Sequence, residues 1–243
     1  GESDLRLLRA LAQPGPNDLF MVGDTFQRIY GTGTSMLRCG IEIRGRSHRL
    51  KVNYRTTERI RDWAVAVLKG VSPEDLDDDR DALQGYHSLR LGEYPEQKLF
   101  AEEGEELDYL VQRIREWTDE GAAADHICIS ARTRSLVERY RDHLLSAGIT
   151  AVLLEDDQEV SSPGVRLSTM HRMKGLEFPY VILAGVHRGI VPLRRRGQQE
   201  VDAASAQDSE RRERCLLYVA ATRARDVLVI TGHGQPSPWF VAD

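Results

Sequence analysis

The chain has 243 residues, 41% hydrophobic and 29% charged, and Lys+Arg 33 against Asp+Glu 38 gives a net charge of −5. That is enough apolar sequence for one large domain, or for a domain plus part of another, and the charge excludes a nucleic-acid binder that works by overall basicity. No apolar run approaches the length of a membrane span and no signal peptide is visible. Cys39, Cys128 and Cys215 lack the spacing of a zinc site or a disulfide framework, which fits a reducing, cytoplasmic setting.

In chain order, Leu5, Leu7, Leu8, Leu11 and Ala12 recur at helical spacing until Pro14-Gly15-Pro16. Leu19 to Val22 then reads as a short buried strand ended by Gly23-Asp24. Gly31 to Gly45 is irregular, with a short helix near Met36 and Leu37. Arg49 to Val52 is a short strand, and Glu58 to Leu68 a helix with Ile60, Trp63, Ala64, Val67 and Leu68 on one face. Further strands are expected at Lys98–Ala101, Ile127–Ile129, Thr150–Leu154, Val165–Ser168, Tyr180–Ala184 and Val227–Ile230. Helices are expected at Glu103–Glu120, Ser135–Ala147 (closed by Gly148) and Ser209–Ala221, with a loop over Arg188–Ala206. Strands alternating with helices imply an α/β fold, a mostly parallel sheet covered on both faces.

Charge is patterned within this frame. Leu37 to Asp62 holds eight basic and three acidic residues, a local +5. Glu74 to Asp81 holds six acids and one Arg, a local −5. A basic face can bind phosphate while an acidic loop elsewhere sets the global sign.

Four constellations carry chemistry. In Val22–Gly31, Asp24 and Gln27 fall just beyond a strand's C-terminal end, where an amide such as Gln27 can hydrogen-bond a γ-phosphate or attacking water. In Asn53-Tyr54-Arg55-Thr56-Thr57, Thr56 or Thr57 suits a helix N-cap, Tyr54 offers a flat face for a purine, and Arg55 suits phosphate. In Val165–Pro179, polar residues crowd a junction leading into a buried strand, the kind of place where open sheets bind ligands. In Glu210–Arg225, Thr222-Arg223-Ala224 ends a helix, where a rigidly held Arg can neutralise a transferring phosphoryl group.

In this order, the four stretches resemble motifs III, IV, V and VI of the UvrD/Rep/PcrA group of superfamily 1 DNA helicases. The resemblance implies a RecA-like, P-loop NTPase-type second motor domain that works with ATP, Mg²⁺ and single-stranded DNA or a single-strand/duplex junction. It assigns Gln27 and Arg55 to γ-phosphate sensing and Arg223 to the arginine finger. Tyr54 would stack on adenine, Glu177 would accept from ribose hydroxyls, Gly175 would let backbone approach the nucleotide, and Asp24 would line the nucleotide site. Thr169, His171, Arg172 and Lys174 would contact DNA phosphate. Tyr30 would contact DNA, although the Trp that the family carries shortly after Tyr-Gly is replaced here by Thr32-Gly33-Thr34.

A Walker A loop, GxxxxGK followed by Ser or Thr, does not occur in the sequence, nor does an Asp-Glu pair at a strand end. The Mg²⁺ ligands are therefore expected outside this chain, and the chain assigns no metal site of its own. It looks cut just downstream of the Asp-Glu motif. Residues 1–35 would be the remnant of the first motor domain and 36–243 the second, with a mobile acidic linker over 70–97 in place of the family's helical insertion. The missing N-terminal motor domain would be a partner. The alternative is a stand-alone nucleic-acid-binding or regulatory module that kept the fold and lost its motor. A third reading is the helicase part of a helicase–nuclease, with the nuclease outside the chain.

Overall fold

Strands buried on both faces need helices above and below them, and the apolar residues of this chain divide accordingly. The structure is a computed structural model that describes residues 2–23, 36–43, 45–48, 50–69, 85–154, 162–193 and 203–240. Its elements run α1 (Glu2–Leu11), β1 (Val52–Asn53), α2 (Glu58–Val67), β2 (His87–Ser88), β3 (Glu96–Phe100) and α3 (Glu103–Asp119). They continue with β4 (Ile127–Ala131), α4 (Arg134–Ser146), β5 (Ala151–Leu153), β6 (Val165–Thr169), β7 (Phe178–Ala184), α5 (Ala203–Ala221) and β8 (Ala224–His233). Six strands form a sheet in the order β3-β8-β7-β4-β6-β5, with every neighbouring pair parallel. β1 and β2 make a separate two-stranded parallel pair.

Successive strand residues face opposite sides, so each central strand feeds two cores. Val181 and Leu183 of β7, with Leu228 and Ile230 of β8, join Ile60, Trp63 and Val67 of α2 and Leu216, Leu217 and Val219 of α5. Ile182 and Val229, with Ile127 and Ile129 of β4, join Leu110, Ile114 and Trp117 of α3 and Leu136, Val137, Tyr140 and Leu144 of α4. Each such side chain contributes roughly 1.5–3 kcal/mol by leaving water. The expected α/β sheet with helices on both faces is what the chain builds.

Helix ends follow their sequence signals. Thr57 caps α2 by accepting from Ile60 N, and Thr133 caps α4 through Leu136 N. α4 stops where Gly148 takes φ +78° and Ile149 N donates back to Leu144 O at 2.9 Å.

Several expectations are corrected. Leu19–Val22 forms no strand. Phe20 and Val22 are exposed, and the neighbouring Asp18 ties Arg9 and Arg46 together instead. A strand needs a ladder to satisfy its backbone, and no described strand lies beside this run. α5 begins at Ala203 rather than Ser209, so the Ala-rich end of the expected loop is helical. β1 sits at Val52–Asn53 and β3 starts at Glu96, ahead of the expected Lys98.

The expected linker over 70–97 is also narrower. Residues 70–84 lie outside the described residues, but the remainder is pinned: His87–Ser88 pairs with Val52–Asn53, Arg90 O and Leu91 O accept from Glu58 N and Arg59 N, and β3 is in the sheet. The three cysteines are buried and free. No helix among the described residues is long and apolar enough to cross a membrane.

Candidate functional site

Arg55 occupies a turn whose shape is set by its neighbours. Asn53 Oδ1 accepts from Arg55 N at 3.0 Å, Asn53 Nδ2 donates to Ser88 Oγ, and Thr56 and Thr57 are buried behind it. This leaves Tyr54 with its ring facing solvent, 75% exposed. Core placement of Tyr54, the ordinary alternative to purine stacking, is therefore not what the fold adopts.

The Arg55 side chain crosses to the loop before β7, where Nε donates to Glu177 Oε2 at 2.7 Å. That loop is built by alternation. Met170 and Met173 are buried in the core, while His171, Arg172 and Lys174 project between and after them. Backbone bonds from Met170 N to Ala131 O and from Arg172 N to Thr169 O hold it against the carboxyl ends of β4 and β6. Gly175 has φ +88° with open space at the Cβ position, so the turn needs glycine for its backbone conformation.

Arg223 lies at the end of α5, 2% exposed. Its Nε donates to Val219 O at 3.0 Å and its Nη2 to Thr222 Oγ1 at 3.1 Å, while its carbonyl accepts from Phe178 N. Phe178 follows Glu177 directly. The structure thus brings Arg55, Glu177 and the backbone of Arg223 into one neighbourhood, but the Arg223 guanidinium is folded onto its own helix rather than presented to solvent.

Sequence reasoning missed Arg90, which joins these parts. Its Nη2 donates to Arg225 O at 3.0 Å and, at 3.4 Å, to Arg55 O, and its Nη1 pairs with Asp226. Burial pushes the Asp226 carboxyl up, but hydrogen bonds and charge from Arg225 and Arg90 outweigh it and hold it below the ordinary carboxylate range. Nothing local in Ser88-Leu89-Arg90-Leu91 signals this role.

Thr169 and Arg172 also line a cleft of about 430 Å³ with Arg134, Leu153 and Leu167, at the carboxyl ends of β5 and β6. His171 is half-buried, and its pKa is lowered by burial and by Arg132, against a raising effect from Glu213. Arg132 and Glu213 form a two-pronged pair, with Nε–Oε2 at 2.9 Å and Nη2–Oε1 at 2.5 Å, and Glu213 also accepts from Leu193 N. Lys174 is exposed. Asp24, Gln27 and Tyr30 lie outside the described residues.

The exposed Tyr54 ring, Arg55 and Glu177 fit one edge of a nucleotide: a stacking face, a cation for phosphate and a carboxylate for hydroxyls. They do not fit Mg²⁺. Around them, no cluster of three potential ligands occurs among the described residues, and Glu177 is held by Arg55.

A six-stranded parallel sheet covered by helices on both faces, with polar and charged side chains gathered in the loops at its strand ends, defines an α/β protein. Residues 149–235 match the UvrD-like helicase C-terminal domain family. Among similar proteins, the ATP-dependent DNA helicase PcrA of Leuconostoc citreum is 42% identical over 85 residues, 35% of this chain and 10% of that protein. The ATP-dependent DNA helicase Rep of Buchnera aphidicola subsp. Baizongia pistaciae is 34% identical over 99 residues, 41% of this chain and 14% of that one. The matches thus span only a tenth to a seventh of these relatives. The crystal structure of the C-terminal domain of a possible DNA helicase from Lactobacillus plantarum WCFS1 superposes with a TM-score of 0.56 at 21% identity. It covers 77% of this chain and 91% of that one, a likeness of fold. The stretches Val165–Pro179 and Glu210–Arg225 both fall inside the matched segment.

Proposed function

We propose that this chain is the C-terminal part of an ATP-dependent DNA helicase, and that the intact protein moves 3′ to 5′ along single-stranded DNA in the cytoplasm. Residues 1–35 belong to the first motor domain and 36–243 to the second. ATP with Mg²⁺ lies between them, and the Walker loop and metal ligands come from the partner domain. The observation that carries the reading is the Arg55–Glu177 contact. Two residues assigned to the same nucleotide, and remote in sequence, meet at 2.7 Å beside the exposed Tyr54 ring.

When bound, ATP would supply the γ-phosphate that draws the two domains closed, and its loss would let them open. On this side of the cleft Tyr54 stacks on the base, Glu177 accepts from the ribose, and Arg55 exchanges Glu177 for phosphate. Gln27 senses the γ-phosphate beside Asp24. Arg223 leaves its carbonyl partner on α5 to act as the finger when the domains close. Thr169, His171, Arg172, Lys174 and Tyr30 hold DNA mainly through phosphate, giving weak sequence preference.

The absence of a Walker loop from the sequence favours a second reading, a binding module without a motor. Phosphate release from the purified chain, with and without single-stranded DNA, is expected at background. Joined to the segment its gene encodes upstream, the protein should gain DNA-stimulated release that Arg55→Ala abolishes. An upstream reading frame without GxxxxGK[ST] would establish the binding module instead, and DNA-stimulated release from the chain alone, lost in Arg223→Ala, would overturn the division of labour between the two domains.

A further inference from the structure

On the sheet edge carrying the carboxyl ends of β7 and β8, away from Arg55, a carboxylate and two imidazoles converge. Glu106, in the first turn of α3, is fully buried. Its Oε1 accepts from Gly185 N at 2.9 Å and from Thr231 Oγ1 at 2.6 Å, so that oxygen is committed. Its Oε2 lies 2.6 Å from His233 Nδ1. The His233 ring packs on His187 with centroids 4.1 Å apart, and His187 Nδ1 is buried without a hydrogen-bond partner. One ligand atom from each of Glu106, His187 and His233 falls within 4.8 Å of the others.

We infer that Glu106, His187 and His233 form a binding site for a divalent transition ion of the zinc class. Two imidazoles and one carboxylate are a donor set that such ions favour, with a remaining position left to water. Ligands about 2.0–2.1 Å from a tetrahedral ion stand roughly 3.3 Å from one another, so small side-chain rotations close the present spacing. The supporting shell is already built. Gly185 N–H and Thr231 O–H fix Oε1, which aims the other oxygen at the imidazoles. Gly185 leaves no room for a side chain, since a Cβ there would stand 2.8 Å from Tyr140 Oη. His187 and His233 are only partly buried, which gives an ion a path in from solvent. The ion displaces the proton that His233 shares with Glu106 and gives His187 Nδ1 a partner. It thereby ties the first turn of α3 to the segment after β7 and the end of β8.

The test is Co²⁺ titration of the untagged, chelator-treated chain, read by visible absorption, with the thermal midpoint measured with and without Zn²⁺. The expected result is saturable uptake of a single equivalent with the absorption of a four-coordinate centre, and a higher midpoint in Zn²⁺. His187→Ala and His233→Gln should each weaken Co²⁺ binding by roughly tenfold or more and remove the Zn²⁺ effect. His187→Ala serves as the deciding variant if His233→Gln fails to fold. Non-saturable uptake by the native chain, or unchanged uptake by folded His187→Ala, would overturn the assignment.

Discussion

Arg55 and Glu177, 122 residues apart in the chain, are joined by a 2.7 Å bond from Nε to Oε2. Both side chains are nearly half exposed, so the pair is worth at most about 1 kcal/mol and is screened by salt. Glu177→Gln should therefore lower the unfolding free energy measured in urea by less than that amount, and the loss should shrink further in high salt. A loss of several kcal/mol would mean the pair is a structural fixture and cannot open for a nucleotide.

Glu106 stands at the opposite extreme. Removing its carboxylate strands the Gly185 amide and the Thr231 hydroxyl in a buried place and takes a partner from the partly exposed His233. Each of the two buried orphaned partners costs about 1–3 kcal/mol, so Glu106→Ala in the presence of chelator should destabilise the chain by at least about 2 kcal/mol. The measurement is denaturant unfolding with an unchanged m-value.

These two contacts show what the sequence could and could not disclose. The centre of the sheet was legible because Ile127–Ile129, Tyr180–Ala184 and Val227–Ile230 are short apolar runs, and the helices because Ile60, Trp63 and Val67, or Leu110, Ile114 and Trp117, recur at helical spacing. Glu106 was legible in principle, since it falls on the same stripe as Leu110, Ile114 and Trp117, where a charge demands a partner. The identity of that partner was not, because Thr231 and His233 arrive on the last strand. Leu19–Val22 misled because an apolar run specifies a strand only when a ladder awaits it. The burial of Arg223 was equally hidden, because helix position alone does not say where a long side chain turns.

Arg90 holds the Arg55 turn to the start of β8 through Arg55 O, Arg225 O and Asp226. Half of its surface is solvent-exposed, so Arg90→Ala should cost only about 1–2 kcal/mol. The local effect should be larger than the global one. Amide exchange is expected to quicken at Glu58 and Arg59, whose N–H groups bond the carbonyls of residues 90 and 91. Unchanged exchange there would show that the turn stands without the clamp.

His171 links stability to pH. Burial and Arg132 lower its pKa in the folded chain, so the folded state binds its proton later than the unfolded state does. Its contribution is complete above the unfolded value of about 6.5 and declines as pH falls through that value towards the lowered folded one. His171→Gln should flatten this part of the stability profile. A residual slope should remain from His187, whose pKa is lowered by burial and by His233. A variant whose slope between neutral and mildly acidic pH equals that of the native chain would remove His171 from the account.

Lys174 tests the proposed DNA face. It is exposed on the loop after β6, next in line to His171 and Arg172. A lysine that neutralises a phosphate of single-stranded DNA releases about 0.7 of a counterion, so Lys174→Ala should lower the slope of log K against log salt by about that much. The loss of affinity should be nearly the same for every base sequence, because a phosphate contact carries no sequence information. Arg134 borders the neighbouring cleft, but its Nε is already held by Glu138 at 2.8 Å. Arg134→Ala should therefore change the slope less than Lys174→Ala does. Fluorescence anisotropy across a salt series measures both slopes, and equal slopes for native chain and Lys174→Ala would place the DNA elsewhere on the fold.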